Sequence, residues 1–437
     1  MRQAAWPQIF ASVTGYWWAL SGAFAFLALA VAMTLHWSNR GVFDQHDVLF
    51  DTDTKSRLGC YANGWVGHGR NTVHPNLCNL VNPPIRGLAI LVSDGPDRRT
   101  VRERLALWVS PLAGAASLFL LMMAAARWGA GRHQQVLLGL TLAASFTTLL
   151  FASVPDHFAL GGLTLAIALL LFTDRLAGGA PRLWAWTIAG WFAASITLTN
   201  LLPLVALFFL ANLRQLGAWR ATTRALVLGA FAVVTAFGSA VVLNLGYDIH
   251  GLDIFMPHHG TGPRKAEPLM ELVRFPLQVL QSFAPSGYEI VPNALSLREP
   301  HHYRIQLDFL GHHVPGPAGW LLALVLVPCM ALRWRTNVQE RTMVIGLAAA
   351  VFFHGFLHAR IGNDYFLYSF HWAAPLVLML MLPERVSASV PGVRLLHLGL
   401  MVLLVIGLAL NSARMLRAID RDLGERWMPL TEHAGAR

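Results

Sequence analysis

The chain has 437 residues, of which 55% are hydrophobic and only 13% charged, and its mean hydropathy is +0.50. Soluble domains carry roughly 25% charged residues, so this composition excludes a soluble globular enzyme and points to an integral membrane protein. A net charge of +10 would suggest nucleic acid in a soluble chain; here most basic residues lie between apolar runs, where orientation in a bilayer explains them, and no nucleic-acid partner is expected.

Taken in chain order, apolar runs near the ~20 residues needed to cross a bilayer recur throughout, which predicts an all-α polytopic bundle of about eleven spans and no separate globular domain. The predicted spans are Tyr16–Trp37, Leu105–Ala126, Gln135–Phe151, His157–Thr173, Leu183–Leu198, Leu201–Leu213, Ala225–Leu245, Ala318–Leu332, Thr342–His358, Tyr365–Leu382 and Leu395–Asn411. The first run lacks a small-residue cleavage site, so no cleavable signal peptide is expected. The fifth and sixth spans are short and are separated only by Thr199 and Asn200, so they read as two spans or as one broken helix. Thr100 to Glu103 reads as a capping box opening the second span, and Ser153 to Asp156 as another opening the fourth. The stretch from His74 to Val92 is interrupted by Pro75, Pro83, Pro84 and Arg86 and reads as a juxtamembrane helix lying on the membrane surface.

Arginines in short loops set the orientation. Arg127, Arg132, Arg175, Arg182, Arg214, Arg220, Arg224, Arg333, Arg335, Arg341, Arg385 and Arg394 fall on one set of connections, and the opposite short connections carry only Arg360. The positive-inside rule then predicts a cytoplasmic N-terminus, with two long polar segments, 38–104 and 246–316, on the outer side. The basic residues are nearly all arginine, with lysine only at Lys55 and Lys265, which suggests a GC-rich bacterial origin and so an inner membrane whose outer side is the periplasm.

Those segments hold most of the candidate chemistry. Asp47, Asp51 and Asp53 cluster just after the first span, followed by Lys55 and Arg57. Carboxylates this close repel when ionised, so one is held protonated or a cation balances them, and either arrangement suits a general base. An ordinary charged surface loop is the plain alternative. His74 could bind phosphate, ligate a metal, or simply cap the juxtamembrane helix. Cys60 and Cys78 could bridge in an oxidising compartment or remain free thiols. In the second segment, Arg298, Arg304 and paired histidines interleaved with aromatics suit an anionic lipid headgroup. Asp156 with His157, and Asp364 with Tyr365, stand at short connections on the same side and could line a cavity there; helix capping explains both acids equally well. No acid or base is evident near the middle of the spans, which disfavours an ion-coupled transporter.

With clustered acids in the loop after the first span and His74-Pro75 behind them, the chain resembles the GT-C superfamily of membrane glycosyltransferases. The resemblance covers the whole chain as architecture. At the residue level it covers Phe50 to Lys55 and His74-Pro75, with weaker echoes in Asp156-His157 and in Phe366 to Ser369. It implies a polyprenyl-phosphate sugar donor, inversion at the anomeric carbon, and a catalytic acid in the first loop, hence Asp53 or Asp51. Lys55, Arg57 and arginines of the second segment would then hold the donor phosphate. Members of the superfamily differ in needing a divalent cation, so that cofactor stays open. The tail after Ser412 is short beside the soluble C-terminal domain of many relatives, which leaves recognition of a glycan, lipid or protein acceptor to the loops. Two other readings remain: a lipid-linked-sugar flippase or transporter, and a non-catalytic membrane partner in envelope assembly.

Overall fold

The computed structural model describes residues 16–44, 48–50, 52–64, 73–244, 268–292, 303–307, 314–360 and 366–426. Its helices are α1 (Trp17–Asn39), α2 (Thr54–Asn63), α3 (Leu77–Val92), α4 (Arg98–Ala106), α5 (Val109–Arg127), α6 (Arg132–Ala144), α7 (Phe146–Ser153), α8 (Phe158–Leu176), α9 (Leu183–Ile196), α10 (Leu201–Leu216), α11 (Ala218–Asn244), α12 (Pro268–Phe283), α13 (Pro317–Thr336), α14 (Val338–Arg360), α15 (Ser369–Met379), α16 (Glu384–Ser389) and α17 (Pro391–Arg426). A two-stranded antiparallel ribbon, β1 (Glu289–Pro292) and β2 (Tyr303–Gln306), lies between α12 and α13.

Eight helical segments among the described residues are long and apolar enough to cross a membrane, and α6 with α7 makes a ninth that is bent by 64°. The bend falls at Ser145, whose extended backbone ends one helix while its hydroxyl accepts the Thr148 N–H that opens the next. The two remaining predicted spans are occupied by α9, with 14 residues, and by α15, with 11. At 1.5 Å per residue these reach about 21 and 17 Å, short of a hydrocarbon core of about 30 Å. Between α9 and α10 the chain is broken: Thr197 is extended and Leu198–Asn200 forms a 3-10 turn. The fifth and sixth predicted spans are therefore two helices.

Neither predicted capping box forms. The second span starts earlier, with α4 opening at Arg98, so Thr100 lies inside a helix and Glu103 pairs with Arg99 instead (3.0 Å). Ser153 ends α7 and its hydroxyl donates back to Leu149 and Leu150, while the residue preceding α8 is His157. Glu103 and Ser153 thus find partners within their own helices, while the Asp156 carboxylate is taken by the Asp53 N–H and approached by Arg57.

The bundle has two unlike ends. At one, here termed the arginine end, Arg333 is fully buried and its Nε donates to Glu340 Oε2 (2.7 Å), while Trp128 Nε1 donates to Glu340 Oε1 (3.1 Å) and Arg333 Nη1 to the Leu378 carbonyl (3.1 Å). This cluster ties α5, α13, α14 and the segment of α15. The opposite, loop end carries α2, α3, α12 and the ribbon. There α17 continues past the bundle, and Asp420 receives His36 Nε2 (2.7 Å) and Arg40 Nη1 (2.9 Å) from the end of α1.

Two links hold the loop end together. Val48–Phe50 runs parallel to β2, with Phe50 N–H donating to the Ile305 carbonyl (2.7 Å) and Ile305 N–H to that of Val48 (2.8 Å). Cys60 on α2 and Cys78 on α3 are joined by a disulfide that closes an 18-residue separation. A cross-link of that span stabilises by about 3 kcal/mol in the chain-entropy account. Cys60→Ser is expected to lower the melting temperature of the detergent-purified protein, and mild reduction of the native protein to reproduce that shift; an unchanged melting curve in both would contradict it.

Candidate active site

At the loop end, three connections that are far apart in sequence converge. The first is the turn into α2. Phe50 has a left-handed backbone (φ 56°), an uncommon conformation for a residue with a side chain, and its ring is wedged 5.9 Å from Phe146 and 5.0 Å from Phe366. This seat fixes where the chain emerges, three residues before Asp53. The second is the turn between α7 and α8, carrying Asp156 and His157. The third is the break between α9 and α10, onto which the start of α3 docks. There Asn76 N–H donates to the Ser195 carbonyl (3.0 Å), Leu198 N–H donates to the Val73 carbonyl (3.0 Å), and His74 Nδ1 lies 2.7 Å from the Ile196 carbonyl.

Arg57 is the hub. It is 5% exposed, its Nη2 donates to Asp53 Oδ2 at 3.2 Å, and its Nε lies 3.7 Å from Asp156 Oδ1. Asp156 is more deeply held. Its Oδ2 accepts the backbone N–H of Asp53 (2.8 Å), and its Oδ1 accepts both the backbone N–H and the Nδ1–H of His157, each at 2.5 Å. Ser110 fixes the backbone of Asp156 from α5: its hydroxyl receives the Asp156 N–H at 3.2 Å and lies 3.1 Å from the Asp156 carbonyl. A buried carboxylate is tolerable only when donors and a cation surround it, and Asp156 has both.

The two acids therefore differ in accessibility: the Asp53 side chain is 19% exposed, that of Asp156 1%. Asp53 precedes α2 without capping it, because its carboxylate turns to Arg57 one helical turn on. The nearest partners of these ring nitrogens, the Ile196 carbonyl for His74 and the Asp156 carboxylate for His157, accept only, so Nδ1 donates in both; the Thr197 hydroxyl lies further from His74 Nδ1, at 3.4 Å. The two imidazoles lie 4.1 Å apart, centre to centre. Beneath them, Phe158 is 4.2 Å from His157 and 5.6 Å from Tyr368, whose ring stacks on His358 at 3.4 Å. Tyr61, fully buried on α2, is a near neighbour: burial first, and then the Asp156 charge, push its phenol well above the ordinary tyrosine range, while Arg57 pulls the other way. It stays a neutral hydroxyl at any physiological pH.

Of the residues predicted from sequence, the structure thus brings together Asp53, Arg57, His74, Asp156 and His157. Lys55 is exposed on the first turn of α2, and Arg304 is half-buried on β2, next to the Ile305 that pairs with Phe50. Asp51, Arg298, Asp364 and Tyr365 lie outside the described residues. His74 does not cap the juxtamembrane helix, since Asn76 is the residue before α3. Among the described residues no three His, Cys, Asp or Glu side chains gather as metal ligands.

No family model matches the chain, and no curated protein matches it. Solved structures are similar to it, among them the crystal structure of ArnT from Cupriavidus metallidurans bound to undecaprenyl phosphate. That structure matches 89% of this chain and 75% of its own at 15% identity, with a TM-score of 0.49. The chemistry of the site rests on the geometry above.

Sequence reading missed Ser110, Tyr61 and a layer of buried histidines below the site. His354 and His371 are fully buried in α14 and α15, with ring centres 5.1 Å apart, and His358 lies one turn further along α14. The spans were expected to lack such groups; these three lie toward the loop end of their helices, where a hydropathy window dilutes single histidines among apolar neighbours.

Removing one member of a buried ion pair strands the other, at a cost of about 3–5 kcal/mol. Asp156→Ala is therefore expected to lower the melting temperature sharply, and Asp156→Asn, which still accepts the Asp53 N–H, to lower it less. Equal melting temperatures for Asp156→Ala and the native protein would show that the Arg57 cluster contributes nothing to the fold.

Proposed function

We propose that this protein is an inverting glycosyltransferase that moves a sugar from a polyprenyl-phosphate donor to an acceptor hydroxyl at the periplasmic face of a bacterial inner membrane. The observation that carries the reading is the division of labour between two carboxylates on one arginine. Asp156 is buried and saturated with donors, whereas Asp53 is the acid that a substrate can reach. In this reading Asp53 accepts the proton of the acceptor hydroxyl as its oxygen attacks the anomeric carbon from the face opposite the phosphate. The bond between that carbon and the phosphate oxygen breaks, and the polyprenyl phosphate departs with the electron pair. Arg57, held by both acids, positions Asp53 instead of reaching the donor. Lys55 and Arg304, the cationic side chains beside the turn into α2, and the His74 imidazole would receive the phosphate, and Asp51, Arg298, Asp364 and Tyr365 remain candidates for the same surface. The lipid tail would reach the site from the bilayer, and the orientation expected from the arginine distribution puts the loop end in the periplasm.

A second reading, transport of a lipid-linked sugar, is favoured by one observation: His354 and His371 are buried in α14 and α15 and have no hydrogen-bond partner among the described residues, and ionisable groups buried in a membrane bundle mark proton or substrate paths in transporters.

The two readings separate on Asp53. With purified protein, a polyprenyl-phosphate sugar and an acceptor, Asp53→Asn is expected to reduce transfer by roughly 10²–10⁴-fold, the usual span for a general base, while donor binding persists. Transfer near the native rate in Asp53→Asn would remove the proposal; translocation of the donor lost in His371→Ala but kept in Asp53→Asn would favour transport.

A further inference from the structure

The arginine end holds a second set of polar groups that the candidate active site does not use. A cavity of about 250 Å³ opens there between the α5–α6 turn and the start of α17, lined by Arg132, His133 and Gln134 on one side and by Arg394 and His397 on the other. No carboxylate lines it among the described residues. The first turn of α6 adds to the positive character, because it contains no acid and Gly131 provides no side-chain cap, so the positive end of the helix dipole has no countercharge from its own first turn. His397 is buried and held by the Leu380 carbonyl at 2.8 Å, which makes this a built wall and not loose surface arginine.

Beside this cavity an apolar groove of about 530 Å³ runs toward the loop end between α1, α6 and α17. The cavity and the groove share helical faces. On α6, Arg132 stands above Val136, Gly139 and Ala143, and on α17, Arg394 and Leu398 stand above Val405, Ala409 and Leu416, in each case at spacings that keep one face of a helix. They also touch: the Arg132 guanidinium lies 5.8 Å over the ring of Trp18, the first residue of the groove on α1. Along α1 the groove extends from Trp18 to Met33, about 22 Å at 1.5 Å per residue, which exceeds half of a hydrocarbon core of about 30 Å.

A basic pocket at one membrane interface that adjoins a chain-length apolar groove through the Arg132–Trp18 contact has the polarity of a single amphiphile. We propose that it binds a lipid with a phosphate headgroup, drawn from the leaflet opposite the candidate active site, with the phosphate against Arg132, His133 and Arg394 and one chain lying between α1 and α17. A soluble anion would leave the groove unused, and a neutral lipid would leave the arginines without a countercharge. Binding here holds α6 against α17 and so steadies the bent span α6–α7, whose loop-end tip carries the turn to Asp156.

The proposal does not depend on glycosyl transfer, and its test contains no transfer step. The full-length protein in detergent, offered equal amounts of phosphatidylglycerol and phosphatidylcholine, is expected in native mass spectrometry to retain the anionic lipid roughly tenfold over the neutral one, as two arginines at a headgroup allow. Arg132→Gln combined with Arg394→Gln should bring that ratio close to one, and Arg132→Lys with Arg394→Lys should restore most of it, which separates lost charge from lost fold. Ala143→Phe, which fills the groove, should reduce retention of both lipids. An equal ratio in the native protein, an unchanged ratio in the glutamine pair, or displacement of phosphatidylglycerol by inorganic phosphate alone would overturn the assignment.

Discussion

Arg57 is shared between two carboxylates that come from different connections of the bundle, and the loop end is organised around that sharing. A guanidinium at 5% exposure is costly unless its charge is matched, and Asp53 at Nη2 and Asp156 near Nε together match it. The match fixes the start of α2 to the turn between α7 and α8, because Asp156 also binds the backbone N–H of Asp53. A loop that the hydrophobic core could not position by itself is thereby held to hydrogen-bond precision.

The surrounding contacts reinforce this arrangement through independent means. The disulfide restrains α2 against α3, the Val48–Phe50 segment borrows a strand partner from the second long loop, and His74 plugs the break between α9 and α10. Tyr288 extends the same logic outward, donating to Asp422 near the end of α17 (2.6 Å). Helices supply the frame, but polar contacts between loops set the geometry of the candidate site, as is common where chemistry is mounted on a rigid scaffold.

The sequence disclosed the bundle because a bilayer imposes a length and a polarity on every span, and both are local properties of the chain. It also pointed to the acids, since Asp53, Arg57 and His74 lie in a polar segment where apolar pressure is absent. What it could not disclose was partnership. Nothing in the spacing of Arg57 and Asp156, 99 positions apart (156 − 57), announces that they meet, nor that Ser110 waits beneath Asp156. The failed capping boxes teach the same lesson from the other side: Thr100 and Ser153 have the right residue types at the right spacing, yet each belongs to a helix whose boundary was set elsewhere. The break at Ser145 was equally hidden, because Ser145 sits among apolar neighbours that a hydropathy window reads as one continuous span.

The account stands or falls on where a polyprenyl-phosphate sugar sits. A cryo-EM map of the native protein with that donor bound tests it most directly. The account predicts the phosphate beside Lys55 and His74, with the anomeric carbon facing the Asp53 carboxylate across a gap that one acceptor hydroxyl can fill within hydrogen-bond reach, roughly 2.6–3.2 Å from the acid. Donor density elsewhere in the bundle, with nothing beside the Asp53 carboxylate, would contradict it.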